Sequence, residues 1–115
     1  MSNVKRILII DDDRSILRFF KLILERNGYA ADTAATGREA LEKIENQFYD
    51  VALIDVVLPD MTGLDLISKF PSRTKKIVVT GAFSEENVKR ARTDGAEDYL
   101  LKPVKPELLL QLIDC

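Results

Sequence analysis

The chain has 115 residues, with 17 Lys and Arg against 19 Asp and Glu and no His, which gives a formal net charge of −2. A chain of this length predicts one domain, residues 1–115, that can bury a core without disulfides or structural metals. Scattered charge excludes direct nucleic-acid binding, and the apolar runs are too short to cross a membrane. The lack of His excludes Ser-His-Asp and Cys-His catalysis and a conventional zinc site.

Cysteine usage indicates the compartment in which the chain works. The single cysteine is Cys115, which cannot close an internal disulfide, and no charged-then-apolar leader opens the sequence. We therefore expect a cytoplasmic location. Any chemistry must be carried out by carboxylates, hydroxyls and lysines.

The chain opens with an apolar run, residues 7–10, that is short and bounded by polar residues, as in a strand buried on both faces. A helix follows and ends at Asn27-Gly28. Residues 29–34 form a weaker apolar run, which is typical of an edge strand. The first helix is predicted from apolar residues at helical spacing: Ile16, Leu17, Phe20, Ile23 and Leu24.

The middle of the chain continues the alternation. Residues 51–54 predict another strand buried on both faces. Leu64 and Ile67 mark a short third helix that ends before Pro71. The second helix, between the strands, is marked by three apolar residues: Ala40, Leu41 and Ile44.

The last third adds two more strand and helix pairs. Residues 77–79 predict a fourth strand, and Ser84 and Gly95 are the expected caps of a fourth helix. Residues 99–101 predict a fifth strand buried on both faces, and Pro106 suits the first turn of a fifth helix.

Five alternating strand and helix pairs predict an α/β fold with a parallel sheet and helices on both faces. The carboxyl ends of parallel strands meet at one edge of the sheet, where ligands bind in open α/β folds. The residues that follow the strands are polar. They are Asp11, Asp12, Asp13, Asp55, Thr80 and Lys102.

This set of residues predicts phosphoryl-transfer chemistry. Several carboxylates at one edge repel one another, and a divalent cation relieves the repulsion. Oxygen ligands without His or Cys favour Mg²⁺. A lysine and a hydroxyl can hold further phosphoryl oxygens, and a carboxylate can act as the acceptor.

The sequence resembles the receiver domain of bacterial two-component response regulators over essentially its whole length. The resemblance rests on four motifs in order: ILIIDDD, LIDVVLPDMTGLDL, IVVTGA and DYLLKP. It implies a flavodoxin-like three-layer sandwich of five parallel strands in the order 2-1-3-4-5. It also implies a signalling switch that accepts a phosphoryl group rather than an enzyme that turns over.

The resemblance assigns the acidic residues. Asp55 is the expected phosphoacceptor. Mg²⁺, or Mn²⁺, is expected to be held by Asp12, Asp55 and the backbone carbonyl of Val57, with Asp11 acting through water. Asp13 takes the following position, which is often acidic in the family.

The resemblance also implies a switch. Thr80 is expected to donate its hydroxyl, and Lys102 its ammonium, to phosphoryl oxygens. Tyr99 is at the position of the switch aromatic, which turns inward in the active state and changes the face formed by helix 4, strand 5 and helix 5. The Lys102-Pro103 peptide is expected to be cis.

Partners follow from the resemblance and from surface apolar residues. A sensor histidine kinase or phosphotransfer protein is expected to dock along the first helix at Ser15, Ile16, Phe19 and Leu22. The fifth helix has more leucines than sheet packing requires, which suggests a homodimer or an output-domain contact. The chain stops early in that helix, so truncation from a longer regulator is an alternative.

Two further expectations concern dynamics. The fourth helix offers only Val88 and Ala91 for burial, so it should be lightly held. Val57 and Ala82, each two residues after a site residue, provide no polar group to orient water, which predicts slow self-dephosphorylation.

Each site residue has an ordinary structural alternative. The three aspartates can cap a helix, Asp55 can belong to a turn, and Lys102 can be a solvated loop lysine. Thr80 and Tyr99 can be simple sheet residues. Three functional alternatives also remain: a haloacid-dehalogenase-like phosphatase with Asp11 as nucleophile, an FMN-binding electron carrier, and a phosphorylation-independent interaction module.

Overall fold

The computed structural model describes residues 4–114, so Cys115 lies outside the described residues. Within them, five strands alternate with five helices. The strands are β1 Arg6–Ile10, β2 Ala30–Ala34, β3 Val51–Ile54, β4 Lys75–Thr80 and β5 Asp98–Leu101. The helices are α1 Arg14–Arg26, α2 Gly37–Asn46, α3 Leu64–Ile67, α4 Glu85–Asp94 and α5 Pro106–Asp114.

The strands form one parallel sheet in the order β2-β1-β3-β4-β5, which confirms the predicted fold class. In the pairing of β1 with β3, Ile10 lies opposite Ile54, and in the pairing of β3 with β4, Ile54 lies opposite Val78. The carboxyl ends of the three central strands therefore lie side by side, and the residues that follow them meet at one edge.

Helices cover both faces of the sheet because its central strands are apolar on both sides. Ile7 and Ile9 of β1 pack with residues of α1 and α5. Leu8 and Ile10 of the same strand pack with residues of α2, α3 and α4. All four side chains are at most 1% exposed, so the sheet has a core on each face.

Helix ends are fixed by the residues that the sequence indicated. The Asp13 carboxylate accepts hydrogen bonds from the backbone N–H groups of Ser15 and Ile16 and caps α1. The Ser84 hydroxyl accepts a hydrogen bond from the Asn87 N–H at the start of α4. That helix ends at Gly95, whose φ of 114° is left-handed and favours glycine.

The prediction for the fifth strand was wrong in one respect, because β5 is not buried on both faces. Tyr99 and Leu100 are half-buried, and Leu101 is 48% exposed. The strand lies at the edge of the sheet beside β4 only, so one flank has no neighbouring strand.

The last two helices differ in how firmly they are packed. In α4 only Ala91 is buried, as expected for a lightly held helix. In α5, Leu109 and Ile113 are buried while Leu108 is 43% exposed, so apolar surface extends beyond the packed face. Among residues 4–114, no helix is both long and apolar enough to span a bilayer.

Candidate phosphoryl-acceptor site

Backbone hydrogen bonds between neighbouring strands hold the site residues at the carboxyl edge of the sheet, where the sequence predicted them. The Asp11 N–H donates to the Ala34 carbonyl at 3.1 Å, and the Asp55 N–H donates to the Ile10 carbonyl at 3.0 Å. The Lys102 N–H donates to the Thr80 carbonyl at 2.9 Å. Backbone pairing thus continues one residue past β1, β3 and β5, which fixes the backbone from which these side chains project.

Lys102 bridges two carboxylates. Its Nζ lies 2.6 Å from Asp11 Oδ2 and 2.9 Å from Asp55 Oδ2. Partial burial works against the ammonium, but the hydrogen bonds that it donates to Asp11 and Asp55 outweigh this effect and hold the pKa of Lys102 above its ordinary value. The Lys102-Pro103 peptide is cis, as the resemblance implied. Lys102 is therefore a charged group directed into the site rather than a solvated loop lysine.

Asp11 is 3% exposed, and its burial raises the pKa of its carboxyl group. The hydrogen bonds from Lys102 and from the Asp13 N–H oppose that rise, whereas the neighbouring charge of Asp55 adds to it. Two buried carboxylates thus share one ammonium. The site holds more negative charge than Lys102 alone neutralises.

Asp55 is 6% exposed, and both of its carboxylate oxygens are held. Oδ1 accepts hydrogen bonds from the Thr80 hydroxyl at 2.6 Å and from the Val57 N–H at 3.2 Å, while Oδ2 contacts Lys102. Thr80 is completely buried. Its hydroxyl is therefore a hydrogen-bond donor to the acid, not a side chain that merely packs in the strand.

The acidic residues can hold a metal ion together. One carboxylate oxygen each of Asp11, Asp12 and Asp55 lies within 4.8 Å of the other two. Asp11 and Asp55 are buried and Asp12 is exposed, so the cluster opens toward solvent. A group of carboxylate oxygens without nitrogen or sulfur ligands fits a hard divalent cation such as Mg²⁺.

The loop after β3 approaches the acid very closely at Gly63. A Cβ atom at Gly63 would overlap the backbone carbonyl of Asp55. The Gly63 N–H donates to the Val56 carbonyl at 2.7 Å, and Val57 pairs with Thr62 across the loop. Gly63 was not predicted as a site residue, although the Pro-Asp-Met-Thr-Gly composition of the loop indicates a turn there.

Tyr99 is connected to the loop that follows β4. Its hydroxyl donates to the Ala82 carbonyl at 2.5 Å, and its ring packs edge-on against Phe83 with centroids 6.5 Å apart. Burial raises the pKa of Tyr99, so the hydroxyl stays protonated as a donor. Phe83, which is 61% exposed, was not identified from the sequence.

An apolar cavity of about 470 Å³ lies beside the site, between α1 and the segment after β5. Three of the four predicted docking residues contribute to it, and Leu22 lies outside its lining but is 48% exposed on the same helix. The residues that line the cavity are Ser15, Ile16, Phe19, Phe20, Lys102, Pro103 and Val104.

Comparison with known proteins identifies the family. The model of the response regulator receiver domain matches residues 7–114. The chain therefore belongs to the response regulator receiver domains, which are signalling modules. This match favours the receiver over the phosphatase and the electron carrier considered from the sequence.

Curated relatives are longer than this chain. It is 36% identical over 110 residues to the response regulator ArlR of Staphylococcus saprophyticus. The aligned region covers 94% of this chain and 50% of that relative. The ArlR of Staphylococcus aureus strain Mu50 is 34% identical over the same length. The chain thus spans about half the length of these relatives.

Solved structures share the fold throughout. A CheY-like receiver domain protein from Methanospirillum hungatei JF-1 is 48% identical with a TM-score of 0.94, covering 97% of this chain and 92% of that one. A response regulator from Burkholderia pseudomallei, solved with a phosphorylated aspartic acid, calcium ion and citrate, is 32% identical with a TM-score of 0.89. That comparison covers 95% of this chain and 66% of the other.

Proposed function

We propose that residues 1–115 form a switch in which Asp55 accepts a phosphoryl group from the phosphohistidine of a sensor histidine kinase or phosphotransfer protein. One observation carries the proposal. Asp55 is a buried carboxylate held between the Thr80 hydroxyl on one oxygen and the Lys102 ammonium on the other, beside Asp11 and Asp12. Phosphoryl transfer needs this combination of positioning and charge neutralisation.

In the transfer, a carboxylate oxygen of Asp55 attacks phosphorus and forms the P–O bond of an acyl phosphate. The bond from phosphorus to the donor's imidazole nitrogen breaks, and its electron pair leaves with the imidazole. Thr80 and Lys102 already donate to Asp55, and they are placed to donate to phosphoryl oxygens instead. Asp55 is the residue that the reaction modifies covalently.

The metal would be held by Asp11, Asp12, Asp55 and the backbone carbonyl of Val57. Bound Mg²⁺ supplies positive charge that offsets the repulsion between these carboxylates and the incoming phosphoryl oxygens. Support for this ligand set comes from the three carboxylates that converge within 4.8 Å and from the burial of Asp11 beside Asp55.

A chain of hydrogen bonds supports a route from the acid to Tyr99. The Thr80 hydroxyl donates to Asp55 and accepts from the Ala82 N–H at 3.2 Å, and the Ala82 carbonyl accepts from the Tyr99 hydroxyl. A phosphoryl group on Asp55 changes what Thr80 contacts, and the loop at Ala82 and the ring of Tyr99 adjust. The populations of two states then shift on the face formed by α4, β5 and α5.

Donor docking is proposed along α1. Phe19 and Lys102 both line the apolar cavity, and Leu22 is exposed on the same helix as Phe19. A helix of the donor seated there would bring its phosphohistidine to the site. The face with Leu101 and Leu108, 48% and 43% exposed, is proposed as the contact for a second copy or an output domain.

The test is intact-mass measurement after incubation with acetyl phosphate and Mg²⁺, followed by peptide mapping. Wild type should gain one phosphoryl group on the peptide that contains Asp55, Asp55→Ala should gain none, and Asp11→Ala should gain it more slowly. An adduct on Asp11 would point to the phosphatase. No adduct under any condition would leave the interaction module as the better account.

A further inference from the structure

The loop between β3 and α3 is tied at its tip to a different element, the start of α2. Asp60 Oδ1 accepts a hydrogen bond from the Gly37 N–H at 2.9 Å, and Oδ2 accepts one from the Arg38 N–H at 3.0 Å. The hydrogen bond from the Gly37 N–H has the largest effect and the one from the Arg38 N–H the next, and together they hold the pKa of the Asp60 carboxyl below its ordinary value. An exposed carboxylate thus joins two segments that are more than twenty residues apart.

Helix α2 does not need Asp60 in order to begin. The Thr36 hydroxyl accepts from the Glu39 N–H at 3.1 Å, and the Glu39 carboxylate accepts from the Ala35 N–H at 3.1 Å. This arrangement is close to a capping box, with the Glu39 carboxylate bonded to the residue before the N-cap instead of to the N-cap Thr36 itself. The two hydrogen bonds that Asp60 accepts are additional to these, so they restrain the loop as much as the helix.

The same loop is held at two further points. A Cβ at Gly37 would overlap the Met61 side chain, so the loop tip packs directly on the α2 backbone. At the base, Gly63 lies against the Asp55 carbonyl and leaves no room for a side chain. Val57 lies between Asp55 and the loop tip at Asp60, and its N–H donates to Asp55 Oδ1.

We propose that Asp60 is a positioning residue for the metal and phosphoryl site. By anchoring the loop tip on α2, it fixes the orientation of the backbone at Val57. The N–H of Val57 contacts Asp55, and the proposed function assigns its carbonyl to Mg²⁺. The inference rests on the proposed function and adds a residue that lies outside the site.

The experiment compares Asp60→Ala with Thr36→Ala by calorimetric titration with Mg²⁺ alone. Thr36→Ala is the matched control because it removes a cap bond from the same helix end and leaves the loop untouched. Urea unfolding should show a loss of stability in both variants. Only Asp60→Ala should weaken Mg²⁺ binding, by about tenfold, the lower end of the cost of losing a group that orients a metal ligand.

Amide hydrogen exchange provides a second readout that does not involve the metal. Exchange at Val57 and Gly63 should become faster in Asp60→Ala and stay unchanged in Thr36→Ala. Equal Mg²⁺ affinity in wild type and Asp60→Ala, or an equal loss in the two variants, would overturn the role of Asp60. The proposed function has a separate test. If Asp60→Ala binds Mg²⁺ more weakly than wild type and Thr36→Ala does not, but wild type takes up no phosphoryl group, the proposed function is overturned and the positioning role of Asp60 is retained.

Discussion

The Thr80 hydroxyl donates a hydrogen bond of 2.6 Å to Asp55 across 25 residues of sequence. The same hydroxyl accepts from Ala82, whose carbonyl accepts from Tyr99. Asp55, Thr80, Ala82 and Tyr99 are therefore joined by a continuous series of hydrogen bonds. These contacts connect the acid at the sheet edge to β5.

Loss of the bridging ammonium should impair phosphoryl uptake. In Lys102→Ala the paired carboxylates Asp11 and Asp55 lose their shared cation, and the acceptor loses a donor to the phosphoryl group. The uptake rate from acetyl phosphate should fall roughly a hundredfold. Lys105→Ala, which removes an exposed lysine three residues away, is the control and should react like wild type. Equal rates in all three proteins would contradict the assigned role.

The buried charge of Asp11 should make stability depend on pH. Its pKa is raised in the folded protein above the ordinary 3.8, so the folded state binds the proton more tightly than the unfolded state. Stability contributed by this group is present below pH 3.8 and is lost as pH rises through the folded pKa. Asp11→Asn, which does not titrate, should gain stability relative to wild type over that interval.

Urea unfolding across pH 3 to 7 measures this difference. The advantage of Asp11→Asn should grow as pH rises and should be smallest at the acidic end. Asp13→Asn is a useful comparison because Asp13 is an exposed cap whose side chain Asn can replace. A constant difference between Asp11→Asn and wild type at all pH values would show that Asp11 carries no raised pKa.

The lifetime of the acyl phosphate should depend on position 57. Val57 is 59% exposed beside Asp55, so a substitution there leaves the core intact. Val57→Asn introduces a polar group that can orient an attacking water, and loss of the phosphoryl group should become several-fold faster. Val57→Ala removes the same side chain without adding polarity and should decay like wild type. Decay followed by intact mass distinguishes the two results.

An ion pair restrains the lightly packed helix. Arg90 of α4 contacts Asp65 of α3, and it also bonds Asp94 in its own helix. Arg90→Ala should speed amide exchange over residues 85–94 with little change in global stability, because the pair is about half-exposed. Lys89→Ala is the neighbouring control. Unchanged exchange in Arg90→Ala would mean that the ion pairs of Arg90 do not restrain α4.

The elements and the edge of the site were predictable because they depend on local pattern. Buried strands produce continuous apolar runs, caps need particular side chains, and parallel strands place their carboxyl ends together. Ser84, Gly95 and Asp55 followed from these rules. Several assigned roles, such as those of Val57 and Tyr99, came from resemblance and not from pattern.

The remaining features depend on contacts between distant segments. The exposure of Leu101 follows from the position of β5 in the sheet, which its own residues do not encode. The hydrogen bonds that the first N–H groups of α2 donate to Asp60 join residues that no sequence periodicity relates. Gly63 must be glycine because the Asp55 carbonyl lies against it, and only the folded loop reveals that approach.

The most direct test of the central claim is to follow backbone amide resonances while beryllofluoride, a phosphoryl mimic, is added with Mg²⁺. In wild type, the resonances of Thr80, Ala82 and Tyr99 and of the face formed by α4, β5 and α5 should shift. None of them should shift in Asp55→Ala. Shifts confined to the residues around Asp55, or the same shifts in Asp55→Ala, would contradict a switch operated from that residue.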